Sequence, residues 1–245
     1  MKPLSMYLGS IIDNDDVHFE SLLDDEDIFY GVNSDKKVIE CWIRNNYRIY
    51  GNLTISNDLV VDCSGNVFVN NKSMTSLTNG LFEWGVVGGS FYCGERGDLT
   101  SLKGAPEEVD GNFICNYCTK LKTLEGTPKK VGKYFDCGRC DKLETLQGAP
   151  EYVGEYFYCS DCRNLKSLEG APKIVGTSFF CEHCIKLKNL KGAPESIGGG
   201  FICSDCENLE SLEGAPEKID ANFECKGCKK LKITDSDRKK YKIYV

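Results

Sequence analysis

Apolar residues in this chain recur in columns with a step of 22 residues. Phe91, Phe113, Phe135, Phe157, Phe179, Phe201 and Phe223 form one column; Leu99, Leu121, Leu143, Leu165, Leu187, Leu209 and Leu231 form another. Leu102, Leu124, Leu146, Leu168, Leu190 and Leu212 keep the same step, as do Pro106, Pro128, Pro150, Pro172, Pro194 and Pro216. The unit reads F-x-C-x-x-C-x-x-L-x-x-L-x-G-[AT]-P-x-x-[VI] over about 91–231. F-x-C alternates with period two, so Phe and the first Cys share one face of a short strand. The two leucines point inward from the turn that follows, and Gly-Ala-Pro breaks regular structure and reverses the chain. The Val or Ile three residues after the proline fills the far side. One such unit is too small to bury these positions alone, so successive units must stack into a solenoid with a shared core. Parallel strands one coil apart then lie about 4.8 Å from their neighbours.

The pattern weakens at both ends. Val67, Val69, Lys72, Met74 and Leu77 fit a shorter variant of the unit. Leu53–Ser56 and Leu59–Cys63 alternate around Asn57-Asp58 and Ser64-Gly65, which predicts strands joined by hairpin turns. Ser34 is placed to cap a helix over 35–45, with Val38, Ile39, Trp42 and Ile43 on one face. Four segments are therefore expected: an acidic segment 1–30, an N-terminal cap 31–66 of helix and hairpins, a solenoid 67–231, and a C-terminal cap 232–245. Caps are needed because a bare solenoid end exposes core and strand edges.

The F-x-C-x-x-C-x-x-L unit resembles the strand and turn of leucine-rich repeats, L-x-L-x-x-[NC]-x-x-L, with Phe and Cys in the strand leucine slots. The run from Leu165 to Cys181 is similar to leucine-rich-repeat proteins of tailed bacteriophages and some bacteria. In such proteins a stretch like Asn46-Tyr47-Arg48-Ile49 through Val61-Asp62-Cys63-Ser64-Gly65-Asn66-Val67 precedes the repeats. The resemblance implies a leucine-rich-repeat-like stack of about seven to eight coils that serves as a binding scaffold of viral or bacterial origin. Its partner would be a host or virion protein, met in the host cytoplasm, with interference in host defence as one purpose.

Six cysteine pairs keep the same step: Cys115/Cys118, Cys137/Cys140, Cys159/Cys162, Cys181/Cys184, Cys203/Cys206 and Cys225/Cys228. Two readings stand side by side. Adjacent pairs read C-x2-C-x18-C-x2-C, within the spacing of four-thiolate zinc sites, and would make a multi-zinc or redox-responsive protein. Alternatively the first Cys is a small buried strand residue and the second bonds backbone in a ladder. The second reading accounts for Arg96 and Lys72, which occupy the second slot in earlier units where no metal could use them. It requires no cofactor.

Composition narrows the remaining classes. The chain has 245 residues, with 30 basic and 37 acidic side chains, giving a net charge of −7. Residues 1–30 hold one cation and eight acids, so 31–245 balance at 29 of each sign. That argues against a nucleic-acid coat, which needs a basic face. The single basic cluster, 229–242, carries seven cations and two acids. An acidic start and basic finish would make a rod polar along its axis, open to self-association through its ends. No apolar run approaches the roughly 20 residues of a membrane helix. The short apolar stretch after Lys2 does not suit a secretion signal. Fifteen cysteines without such a signal fit a reducing, cytoplasmic setting. With two histidines and no Gly-x-Ser-x-Gly, phosphate-binding loop or zinc-protease helix, an enzyme is not expected.

Binding is expected on the strand positions that point outward, which line the concave face of a leucine-rich repeat. The column between Phe and the first Cys reads Tyr92, Ile114, Asp136, Tyr158, Phe180, Ile202, Glu224. The column before Phe contributes Tyr134 and Tyr156, and the turn after the first Cys contributes Tyr117, Arg139 and His183. Tyr92, Ile114, Tyr117, Tyr134, Arg139, Tyr156, Tyr158, Phe180, His183 and Ile202 are thus the candidate binding residues, predicted to be exposed. Aromatic rings and arginine are favoured at protein interfaces.

Overall fold

In the computed structural model, residues 31–245 are described, so the acidic segment 1–30 lies outside the described residues. The chain forms a mainly β solenoid of about eight stacked coils of roughly 22 residues. Each coil contributes one short strand to each of two parallel ladders, of ten and nine strands, cap strands included. The first ladder holds the Phe-x strands, with Phe91, Phe113, Phe135, Phe157, Phe179, Phe201 and Phe223 in direct register. The second holds the x-Val strands that follow the proline, such as Lys130–Val131 and Tyr152–Val153.

Two turns per coil link the ladders, and the motif explains both. In the first, the leucine N–H donates to the second cysteine's carbonyl, as from Leu143 to Cys140 at 3.0 Å. In the second, the residue after the glycine donates back to the second leucine, as from Ala149 to Leu146 at 3.0 Å. The glycine between them, Gly148, has φ 88°, a left-handed conformation that places glycine third in such a turn. The core between the ladders is fully buried and layered by residue type. Its Phe rings stack with centroids 5.0–5.6 Å apart, nearly parallel from Phe91 to Phe201 and tilted by 30° at Phe223.

Exposed cross-coil ion pairs repeat the 22-residue step: Lys120–Asp98 at 2.5 Å, Lys166–Glu144 at 2.7 Å and Lys229–Glu207 at 2.8 Å. A slip of one residue would set these lysines opposite uncharged neighbours such as Leu99, Leu143 or Asn208, so the pairs favour the observed register modestly.

The N-terminal cap differs in detail from its sequence reading. Helix α1 spans Gly31–Asn46, so Ser34 lies inside the helix and not ahead of it. Val38, Ile39, Trp42 and Ile43 are buried against the first coils, as their spacing implies. Four strands follow: β1 (Tyr47–Tyr50), β2 (Leu53–Ile55), β3 (Val60–Cys63) and β4 (Asn66–Val69). β2 and β3 do pair as an antiparallel hairpin. Ser64-Gly65, however, is not a hairpin turn, because β3 and β4 belong to different ladders and the chain turns a corner there. The corner is tight: a side chain on Gly65 would fall 1.7 Å from the Tyr50 carbonyl oxygen. β3 pairs in parallel with β5 (Glu83–Val87) and so already belongs to the stack, ahead of residue 67. β1 and β2 cover the two ladder edges in antiparallel fashion.

At the other end, helix α2 (Asp235–Lys240) begins at a capping box. Thr234 accepts from the Asp237 N–H, and the Asp237 carboxylate accepts from the Thr234 N–H. The last strand, Ile243–Tyr244, then pairs in parallel with Phe223–Glu224 and closes the first ladder. Aromatic rings close the Phe column at both ends, Trp84 and Tyr47 against Phe91 and Tyr241 against Phe223. Among the described residues no helix is long and apolar enough to cross a membrane.

Candidate interaction face

The cysteines form a backbone ladder. Each second-position thiol donates to the carbonyl of the first cysteine one coil earlier: Cys118 to Cys93 at 3.4 Å, Cys140 to Cys115, Cys162 to Cys137 and Cys184 to Cys159 at 3.3 Å, Cys206 to Cys181 and Cys228 to Cys203 at 3.2 Å. Arg96, in the same slot, donates its guanidinium to the Val69 carbonyl. The slot thus serves the carbonyl at the end of each strand, and arginine and cysteine fill it alike. Burial pushes the donating thiols of Cys118 (to about 11) and Cys140 above the ordinary cysteine value, so they stay protonated donors. Among the described residues no three His, Cys, Asp or Glu side chains come together to hold a metal ion.

The outward side of the Phe ladder carries the predicted strip, with a difference. Tyr92, Ile114, Tyr158, Phe180 and Ile202 are half-buried and not fully exposed, and so is Tyr134. The physical reason is the ladder itself. Outward side chains one coil apart pack on each other, so each ring shields its neighbour. Tyr158 and Phe180 stack at 4.6 Å, Tyr134 meets Tyr158 edge-on at 6.1 Å, and Tyr156 contacts Tyr158 and Phe180 at 6.0 and 6.2 Å. Tyr156 is exposed at the rim of this cluster.

The column before Phe shows what these tyrosines replace. Ser90 accepts from the Asn112 N–H at 3.0 Å, Asn112 from the Tyr134 N–H at 3.3 Å, and Ser178 from the Gly200 N–H at 3.0 Å. Small polar side chains at this slot bind the next coil's backbone. Tyr134 and Tyr156 give up that contact and present rings instead.

Tyr117, Arg139 and His183 sit at the ladder's edge, exposed, in a turn position that is left-handed in each coil from Glu95 to Gly227. Their φ values are 55°, 58° and 55°, and Glu95, Asp161 and Asp205 match them. Non-glycine residues rarely adopt this conformation, and the sequence pattern alone did not mark it. The Arg139 guanidinium lies 4.9 Å over the Tyr117 ring and 3.3 Å from the Asp161 carboxylate. His183 Nδ1 is 3.9 Å from Asp205. A cavity of about 180 Å³ joins this edge to the strip, lined by Asn116, Tyr117, Asp136, Arg139, Tyr158 and Asp161 among others. Phe180, His183 and Ile202 lie outside it.

A second recess, about 320 Å³, opens at the N-terminal end between Arg48, Tyr50, Phe68, Tyr92, Arg96, Ile114 and their neighbours. Phe68 stacks on Tyr92 at 4.2 Å and Tyr50 meets Phe68 at 5.5 Å. Tyr50 and Phe68 were missed in the sequence. Extending the outward column one coil before Tyr92 would have found Phe68, whereas Tyr50 arrives through the antiparallel β1–β4 pairing, which has no repeat signal.

Asp136 interrupts the strip. Its carboxylate accepts from the Asn116 side chain at 2.7 Å and from the Gly138 N–H at 2.8 Å. Burial among rings nonetheless raises its pKa from the ordinary 3.8, and those two hydrogen bonds only partly offset the rise. The folded state therefore holds this proton to higher pH than the unfolded chain does. Ionisation works against the fold as pH climbs through the window above 3.8. Asp136→Asn is expected to gain stability relative to the parent between about pH 3 and about pH 7 in parallel urea titrations. A variant that instead loses ground at neutral pH would show that the carboxylate stabilises the fold.

Compared with protein-family models, with curated proteins and with solved structures, the chain matches none.

Proposed function

We propose that this protein is a non-enzymatic protein-binding module whose partner docks on the strip formed by Tyr134, Tyr156, Tyr158 and Phe180, with Arg139 at its border. One observation carries the reading. The coils repeat their Phe and Leu columns unchanged, yet at two successive coils a small, backbone-bonding residue gives way to tyrosine, and the rings merge into one aromatic surface. A contiguous aromatic patch of this kind is a typical centre for binding energy. The resemblance to phage and bacterial leucine-rich-repeat proteins extends the proposal: a phage-encoded scaffold acting on a host or virion protein in the host cytoplasm, and countering host defence.

Replacing Tyr156, Tyr158 and Phe180 together with serine is expected to leave the far-ultraviolet spectrum unchanged and to weaken capture of the partner by at least about tenfold. Affinity capture from bacterial lysate, with parent and variant side by side, measures this. Undiminished capture by a folded variant would remove the strip from the interface.

A further inference from the structure

A row of side chains crosses the first ladder at its N-terminal end. Arg48 of β1 stands opposite Phe68 of β4, Phe68 beside Tyr92, and Tyr92 beside Ile114, each pair in direct register. Together they wall the recess of about 320 Å³, a volume in the range of small-ligand sites. The Phe68 and Tyr92 rings are stacked with their planes 2° apart, so their faces cover each other and their edges turn outward. A ring edge is the positive end of the aromatic quadrupole. Two guanidinium groups add full charges. Arg96 donates one nitrogen to the Val69 carbonyl, while its Nε is buried without an acceptor. Arg48 is exposed, and neither arginine forms an ion pair among the described residues. Glu95, also exposed, is the one acid in the lining. The recess is therefore positive on one side and apolar on the other, which suits a carboxylate carried beside an aromatic ring.

We propose that this recess binds the C-terminal residue of a peptide ending in phenylalanine or tyrosine. The terminal carboxylate sits between Arg48 and Arg96 in charge-assisted hydrogen bonds, and the ring packs against Phe68, Tyr92 and Ile114. Charge selects a peptide over a free amino acid. The ammonium of a free amino acid would lie beside the same two cations, whereas in a peptide that nitrogen is a neutral amide. The Asn70 side chain, unpartnered among the described residues, borders the recess and can bond that amide. The rest of the peptide leaves past the exposed Tyr50. The site shares no residue with the strip from Tyr134 to Phe180 and does not depend on it.

The test titrates the full-length protein with acetyl-Gly-Gly-Phe as the free acid and as its C-terminal amide, followed by NMR. The acid is expected to bind at least about tenfold more tightly than the amide, and salt should narrow the gap. Arg48→Gln, at an exposed position, should keep the fold and weaken the acid by about tenfold. The variant with serine at 156, 158 and 180 should bind the acid as the parent does, which separates this site from the strip. Equal binding of acid and amide, no binding of the acid up to about 10 mM, or an unchanged affinity in Arg48→Gln overturns the proposal. So does loss of the acid from the triple-serine variant, which would place the probe on the strip. Free phenylalanine binding as tightly as the acetylated peptide overturns the choice of a peptide terminus.

Discussion

Phe157→Ala is expected to lower the unfolding free energy by about 3–5 kcal/mol, the largest loss from any single truncation in the strip of coils around it. Phe157 is fully buried and its ring stacks on Phe135 at 5.1 Å and on Phe179 at 5.0 Å. Removing it takes away the transfer energy of the ring and leaves a void that the flanking rings cannot close, because each is fixed by its own ladder strand. In a solenoid each coil touches only its neighbours, so the loss falls on two interfaces at once and divides the stack near its middle. Urea unfolding followed by circular dichroism should show a lower midpoint, and a split transition if the halves separate. Ile174→Ala is the control. Ile174 is 49% exposed in the other ladder, and its truncation should cost less than about 0.5 kcal/mol. A Phe157 variant within about 1 kcal/mol of the parent would mean that the Phe column is not the stabilising core.

The second large effect comes from a residue without a side chain. Gly148→Ala is expected to cost more than about 3 kcal/mol, through two additive causes. Its φ of 88° is costly for any residue with a Cβ, by about 1–2 kcal/mol. An added Cβ would also lie 2.3 Å from the Glu125 nitrogen and 2.5 Å from its Cα, both in the backbone of the preceding coil. Backbone cannot rotate away, so the coils must part. Gly80→Ala separates the two causes, because Gly80 has φ 72° with open space around it. It should show the conformational cost alone, about 1–2 kcal/mol. Equal losses at both sites would show that coil spacing does not depend on the glycine.

Much of this architecture was legible in the sequence because a repeat states its core many times over. A single Phe–Cys pair would mean little, but seven phenylalanines in register fix the strand, its inward face and the stacking direction. The cysteine ladder was legible in outline; its acceptor, the carbonyl one coil back, depends on how far the turn reaches across the coil boundary. Gly132, Gly154, Gly176 and Gly198 carried no legible reason. In the structure a Cβ at each would lie 1.9–2.2 Å from a carbonyl of the preceding coil, a packing constraint with no local signal. The left-handed turn column was likewise hidden, since Tyr117, Arg139, Asp161 and His183 share a φ but no chemistry. At the ends, where nothing repeats, the β1–β4 pairing and the corner at Ser64-Gly65 had to come from tertiary structure.

Parallel strands in register also make the molecule a ruler. The two stacked ring pairs on its outer face, Phe68–Tyr92 and Tyr158–Phe180, are separated by three coil steps from Tyr92 to Tyr158, hence by about 14 Å at the usual strand spacing. A partner that grips both must present its own contacts at that distance. Loss of one whole 22-residue unit between them would leave every core column intact and shorten the gap by a single strand spacing, about 5 Å. Repeat number, which the interior tolerates freely, becomes a quantity that such a partner can measure.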